Sequence, residues 1–161
     1  NDIGDEGVES LLSAEHSTNL VLLYLSKNEL GTRGFDAISR FLGRNDTKLE
    51  TLSVSCGDGE CGKMLVDSIS ENSKLKTISF WDYDTIIDEE QVKLVASSLK
   101  EVVCNASSFE SLCQSNHSLS DLGTKHYSNI LASDPILKEA FGINERGNIA
   151  HGGTSVIKRL R

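Results

Sequence analysis

The residues of this chain best suited to hold a metal or move a proton near neutral pH are four cysteines and four histidines. Cys56 and Cys61 have four residues between them, and Cys113 and His117 have three. Structural zinc takes one close Cys pair and then a second close pair. A second pair of good spacing is missing, so the thiols read as small apolar side chains packed in repeat layers. Asp58-Gly-Glu60 and Asp82-Tyr-Asp84 have the look of calcium-loop fragments, yet the twelve-residue ligand pattern with its closing Glu is not there. They read as acidic turns. Gly57, Gly59 and Gly62 do not lead into Lys-Ser or Lys-Thr, so a phosphate loop fails as well. His16, His117, His126 and His151 are scattered, and no Ser-His-Asp arrangement can be assigned among them. The expectation is a protein that is not an enzyme and that carries no metal and no cofactor. What remains is a surface, and the elements that build it.

Those elements announce themselves as repeats. Asn1-Asp-Ile-Gly-Asp-Glu-Gly7 returns as Asn28-Glu-Leu-Gly-Thr-Arg-Gly34, 27 positions later. A period of this size marks stacked coils, each too small to bury its own apolar face. Leu20-Val-Leu-Leu23-Tyr-Leu25, Leu49-Glu-Thr-Leu52-Ser-Val54 and Leu75-Lys-Thr-Ile78-Ser-Phe80 place apolar residues first, fourth and sixth. A fourth, weaker unit starts at Phe109-Glu-Ser-Leu112, giving separations of 29, 26 and 34 residues. Alternation at the fourth and sixth places is the period of a half-buried strand. Amphipathic helices are predicted behind the strands, near Val8–Ala14, Thr32–Phe41, Lys63–Ile69 and Glu89–Val103.

Composition agrees with thin layers. The 161 residues are 38% hydrophobic and 6% aromatic, lean for one central core but enough for stacked Leu, Ile and Val. The net charge of −8 makes nucleic acid and anionic membrane poor partners. The longest apolar run, Leu20 to Leu25, is too short to cross a bilayer. The low cysteine density favours reduced thiols and, with them, a cytoplasmic setting. Asn45-Asp-Thr47, Asn105-Ala-Ser107 and Asn116-His-Ser118 fit the glycosylation pattern, a triplet that chance produces readily in a chain rich in Asn, Ser and Thr. The opening at Asn1, inside a repeat, reads as that of a fragment.

Leu20, Leu23, Leu25, Asn28, Leu30, Gly31 and Gly34 resemble, place for place, a leucine-rich repeat of the ribonuclease-inhibitor type. Asn1, Ile3, Gly4 and Gly7 resemble the second half of one more. The resemblance covers about residues 1–120 and implies an α/β solenoid, incomplete at its N-terminus, with parallel strands on a concave face and helices on a convex one. It also implies an asparagine ladder in the turns after the strands, which decays where Gly57 or Cys56, and then Tyr83, stand in the Asn place. The loops after Val54 and Phe80 are therefore expected to be the loosest. Repeats of this kind imply non-catalytic protein binding through the concave face. By resemblance, the outward places are Leu22, Tyr24, Ser26, Thr51, Ser53, Ser55, Thr77, Ser79 and Trp81, then Ser111, Cys113 and Ser115. Most are small hydroxyl residues forming a smooth floor, and Tyr24 and Trp81 stand out as aromatic anchors. Lys27, Asp82 and Asp84 would supply a polar rim. Two other roles fit the same resemblance: a GTPase-activating-type regulator, for which Arg33 and Arg44 are the arginines to test, and a sensor segment of a larger receptor.

Beyond Leu119 the pattern fades. A helix is expected over Ser120–Ala132, and Asp134-Pro135 reads as the capped start of another, with Ile136, Leu137, Ala140 and Phe141 apolar. Residues 121–141 then form a helical cap on the repeats of 1–120. Residues 142–161 are rich in glycine and carry a net charge of +3, leaving −11 on the rest. They read as a basic tail, with partial disorder expected over 142–155.

Overall fold

A computed structural model describes residues 2–56, 59–81, 89–105, 107–122 and 134–151. Three strands, β1 (Leu22–Leu25), β2 (Thr51–Ser55) and β3 (Thr77–Trp81), form a parallel sheet in chain order. Helices α1 (Gly4–Ser13), α2 (Thr32–Leu42), α3 (Gly59–Ser68) and α4 (Glu89–Val103) alternate with them, followed by α5 (Phe109–Gln114) and α6 (Pro135–His151). The helices pack in series, α1 on α2, α2 on α3, α3 on α4 and α4 on α6. The chain is thus an α/β arrangement compatible with stacked leucine-rich-repeat coils.

The strand register is the one the repeats require. Leu23 pairs with Leu52 and Leu52 with Ile78, and two residues on Leu25, Val54 and Phe80 stand side by side. All six are buried. A fully buried aliphatic side chain contributes roughly 1.5–3 kcal/mol, so each added coil extends a spine that no single coil could form. Leu49, Leu75 and Leu119, just ahead of the strands, are also fully buried.

The fourth unit differs from its expected place. Phe109–Gln114 is a helix, so Phe109 and Leu112 do not open a strand, and Ser111 and Cys113 belong to α5. The fourth rung comes later. Thr77 forms a parallel bridge with Asp121, which aligns Leu119 with Leu75 and Leu122 with Ile78. The true separations are 29, 26 and 44 residues, the last stretched by the inserted α5. Spacing alone misled here, because Phe-x-x-Leu fits a helix turn as well as a strand entry.

Glycine recurs where helices meet neighbouring coils. A Cβ on Gly34 would sit 2.6 Å from Asp5 Oδ1, and one on Gly62 would sit 2.7 Å from Val95 Cγ2. Asp5 needs that room: its Oδ1 accepts the Gly31 N–H at 2.8 Å, capping α2 from the adjacent coil. Helix α6 begins at Pro135, with Asp134 Oδ1 accepting the N–H groups of Ile136 and Leu137. It then runs through the boundary drawn at residue 141 to His151. Gly142 and Gly147 stay helical because Leu137, Ala140 and Asn144 are buried on one stripe. Tertiary packing overrides the weak helix propensity of glycine there. The loops after Val54 and Phe80 pass through residues 57–58 and 82–88, outside the described residues, as do the helix expected over Ser120–Ala132 beyond Leu122 and the tail from 152.

Candidate functional site

Alternation along β1 turns Leu23 and Leu25 into the core and Leu22 and Tyr24 out, 54% and 66% exposed. In register beside them on the same face lie Thr51 and Thr77, then Ser53 and Ser79. Thr51 and Thr77 are half-buried. Ser53, Ser55 and Ser79 are buried, Ser53 to 1% exposure. The open hydroxyl floor expected from the sequence is therefore closed. A serine on a middle strand is flanked on both sides and sinks below larger neighbours, and its hydroxyl finds a partner inside. Ser26 and Ser53 hydroxyls lie 2.6 Å apart, and Ser55 Oγ accepts the Lys27 N–H at 2.8 Å. Among the described residues of the sheet, the exposed large apolar side chains are Leu22 and Tyr24 of β1, with Val21 just ahead of it. Trp81 ends β3 opposite Ser55, but its side chain, with Asp82 and Asp84, lies outside the described residues. Ser115, expected on this face, is buried, and its hydroxyl accepts the Asn105 N–H at 2.9 Å and donates to Ser111 O at 3.1 Å.

The margins of the face are polar. Lys76 pairs with Glu50 at 2.8 Å and Lys48 Nζ donates to Asn19 Oδ1 at 2.8 Å, just ahead of the strands. Lys27 stands exposed at the other end, in a turn where its φ is 61°. The arginines lie with the helices. Arg33 pairs with Glu9 at 3.3 Å and Arg40 with Asp36 at 3.0 Å. Arg44 holds Asp46 through two bonds of 3.0 Å and stands 5.9 Å from the centre of the Phe41 ring. That hydrogen-bonded guanidinium holds the Asp46 carboxyl below its ordinary range. Cys56 and Cys61 are buried and Cys104 is half-buried. Among the described residues, no group of three or more His, Cys, Asp or Glu could hold a metal ion. Among them, too, no helix is long and apolar enough to cross a membrane.

The asparagine ladder lies elsewhere than expected. After β1, Asn28 Nδ2 does donate to Leu25 O, and its Oδ1 accepts Ile3 N–H from the preceding coil at 3.1 Å. The longer ladder runs through the return loops that lead into the strands. Asn72 Nδ2 donates to Leu42 O at 2.8 Å, while its Oδ1 accepts Lys74 and Leu75 N–H. Asn116 repeats this one coil on, donating to Ile69 O and Asn72 O and accepting from Ser118 and Leu119. Asn144, from within α6, donates to Asn116 O and Leu119 O. All three asparagines are buried. The signal was present in the sequence as Asn-x-x-Leu, at Asn72–Leu75 and Asn116–Leu119.

Over 115 residues, 70% of its length, the chain is 29% identical to NACHT, LRR and PYD domains-containing protein 14 of Mus musculus. The match points to a region of leucine-rich-repeat type. The chain spans about a tenth of that protein's length, 11% of it. No family model matches, and no solved structure does.

Proposed function

We propose that this chain is a non-catalytic protein-binding segment, a short leucine-rich-repeat solenoid of the ribonuclease-inhibitor type. It takes its partner on the outward face of the strands. The observation that carries this reading is the exposure of Leu22 and Tyr24 on β1, beside strands whose equivalent places hold half-buried threonines and buried serines. An aromatic and an aliphatic side chain, held rigidly on a strand and bordered by polar residues, have the composition of an interface anchor. Binding there needs little backbone rearrangement, because Leu23 and Leu25 fix the strand from beneath. The relative named above combines an LRR region with two other named domains, which favours reading this chain as the recognition segment of a larger sensor. The regulator reading has less behind it, since Arg33 and Arg44 both sit in ion pairs with this chain's own carboxylates.

Affinity capture with the intact chain supplies the partner, and titration calorimetry with that partner tests the face. Tyr24→Ala is expected to weaken binding by about 2 kcal/mol, roughly thirtyfold, as for a truncated hot spot. Ile143→Ala, on exposed α6 surface, is expected to leave it unchanged. Equal affinities for wild type and Tyr24→Ala remove this face from the site.

A further inference from the structure

Three Asn-x-Ser/Thr triplets fit the pattern of a glycan acceptor, and folding treats them differently. Asn45 is exposed in the return loop after α2, and Asn105 is half-buried ahead of α5. Asn116, in Asn116-His-Ser118, is 3% exposed. The nitrogen that a glycan would take, Nδ2, carries two hydrogens, and both are engaged. It donates to Ile69 O at 2.6 Å and to Asn72 O at 2.8 Å, carbonyls of the preceding return loop. Ser118, which completes the triplet, is buried as well.

Transfer of an oligosaccharide to Asn116 would undo this arrangement atom by atom. The anomeric carbon leaves its diphosphate carrier and bonds to Nδ2, and Nδ2 gives up one hydrogen as a proton. One donor then remains for two carbonyls. A sugar ring would also have to sit between the Asn116 and Asn72 loops, which meet at hydrogen-bond distance. Glycans are bulky and belong on surfaces. Asn45, being exposed, takes one without either conflict.

The order of synthesis decides which event comes first. The residues ahead of Asn116 do not close its loop alone. Its carbonyl accepts Asn144 Nδ2 at 3.1 Å, from α6, 28 residues later. At roughly 5–20 residues per second that segment follows about 1.4–5.6 s behind. Until then the triplet lies at the growing end of the stack, open to a transferase.

We propose that Asn116 is a glycan-acceptor site in the nascent chain, and that its use and the stacking of the fourth coil on the third exclude each other. The donor is a polyprenyl-diphosphate-linked oligosaccharide. The chain therefore reaches its fold only where that transfer is not made. The site is independent of the outward face read above, whose anchors lie on β1.

The test translates the full chain behind a secretory leader in the presence of endoplasmic-reticulum microsomes. Mass spectrometry reads glycan occupancy of the imported chains, and limited proteolysis reads their folding. The expected result is a glycan on Asn116 and a protease-resistant fraction at least fivefold smaller than for the chain made without microsomes. An excess of an acceptor tripeptide, which consumes the donor, is expected to restore that fraction. So is Ser118→Ala, which removes the triplet but keeps the backbone N–H that Asn116 Oδ1 accepts. Ser118→Thr keeps the triplet and is expected not to. Asn116-glycosylated chains that resist proteolysis as the unmodified chain does overturn the proposal. Imported chains with Asn116 unmodified overturn it too, as does a resistant fraction that the tripeptide fails to restore.

Discussion

Replacing Asn116 with alanine tests the ladder that joins the later coils. The Asn116 amide makes four hydrogen bonds: to Ile69 O at 2.6 Å, Asn72 O at 2.8 Å, Ser118 N at 2.8 Å and Leu119 N at 3.0 Å. Ile69 O keeps a second partner, the Asn72 N–H at 3.1 Å, so it is not orphaned by the change. Asn72 O and the two amides lose the partner that Asn116 gives them. Each buried polar group left unsatisfied costs about 1–3 kcal/mol. Taking the low end for all three, because a water can enter the space an amide vacates, the loss is about 3 kcal/mol. For a chain of this size that lowers Tm by about 6–12 °C. Asn45→Ala, at an exposed position, is the control and is expected to stay within about 0.5 kcal/mol. Urea denaturation followed by circular dichroism measures both. A loss below about 1 kcal/mol for Asn116→Ala would mean that the ladder does not hold the coils together.

Three further outcomes follow from the packing and the charges. Leu52→Ala, at the centre of the innermost rung, is expected to cost about 2–5 kcal/mol in urea titration, while Leu22→Ala on the same sheet stays within about 0.5 kcal/mol. Gly62→Ala is expected to cost about 1–3 kcal/mol, because its new methyl meets Val95 Cγ2 at 2.7 Å, and Val95→Ala should recover part of the loss. The hydrogen bond from Lys100 holds the Asp134 carboxyl below its ordinary range, helped by the Ile136 and Leu137 amides. A depressed folded value means this contribution is present above about pH 4, the unfolded value, and is lost as pH falls through the folded value. Hydrogen exchange in the first turns of α6 should accelerate on that descent, and Lys100→Met should move the change to higher pH.

What the sequence disclosed follows the strength of the local signal. Leu23, Leu52 and Ile78 were placed on one line by spacing, and they are paired in register. Helix α4 has the bounds its apolar periodicity set, and α6 starts at the Asp134-Pro135 signal. The fourth coil was misplaced because the inserted α5 carries the same Phe-x-x-Leu spacing as a strand entry. Its marker was Asn116-x-x-Leu119, a polar signal whose meaning depends on carbonyls 44 and 47 residues away. The resemblance to leucine-rich repeats put Leu22, Tyr24, Ser53 and Ser79 on one face, and the register sets Tyr24, Ser53 and Ser79 side by side. Accessibility was not legible, because the burial of Ser53 depends on neighbours in other coils and on Ser26 taking up its hydroxyl.

The stacking of coils is most directly checked by nuclear Overhauser contacts among specifically labelled Leu and Ile methyl groups. The expected spectrum connects Leu23 to Leu52, Leu52 to Ile78 and Ile78 to Leu122, with Leu22 outside the chain of contacts. Cross-peaks joining Leu22 to Leu52, or a break between Leu52 and Ile78, would contradict it.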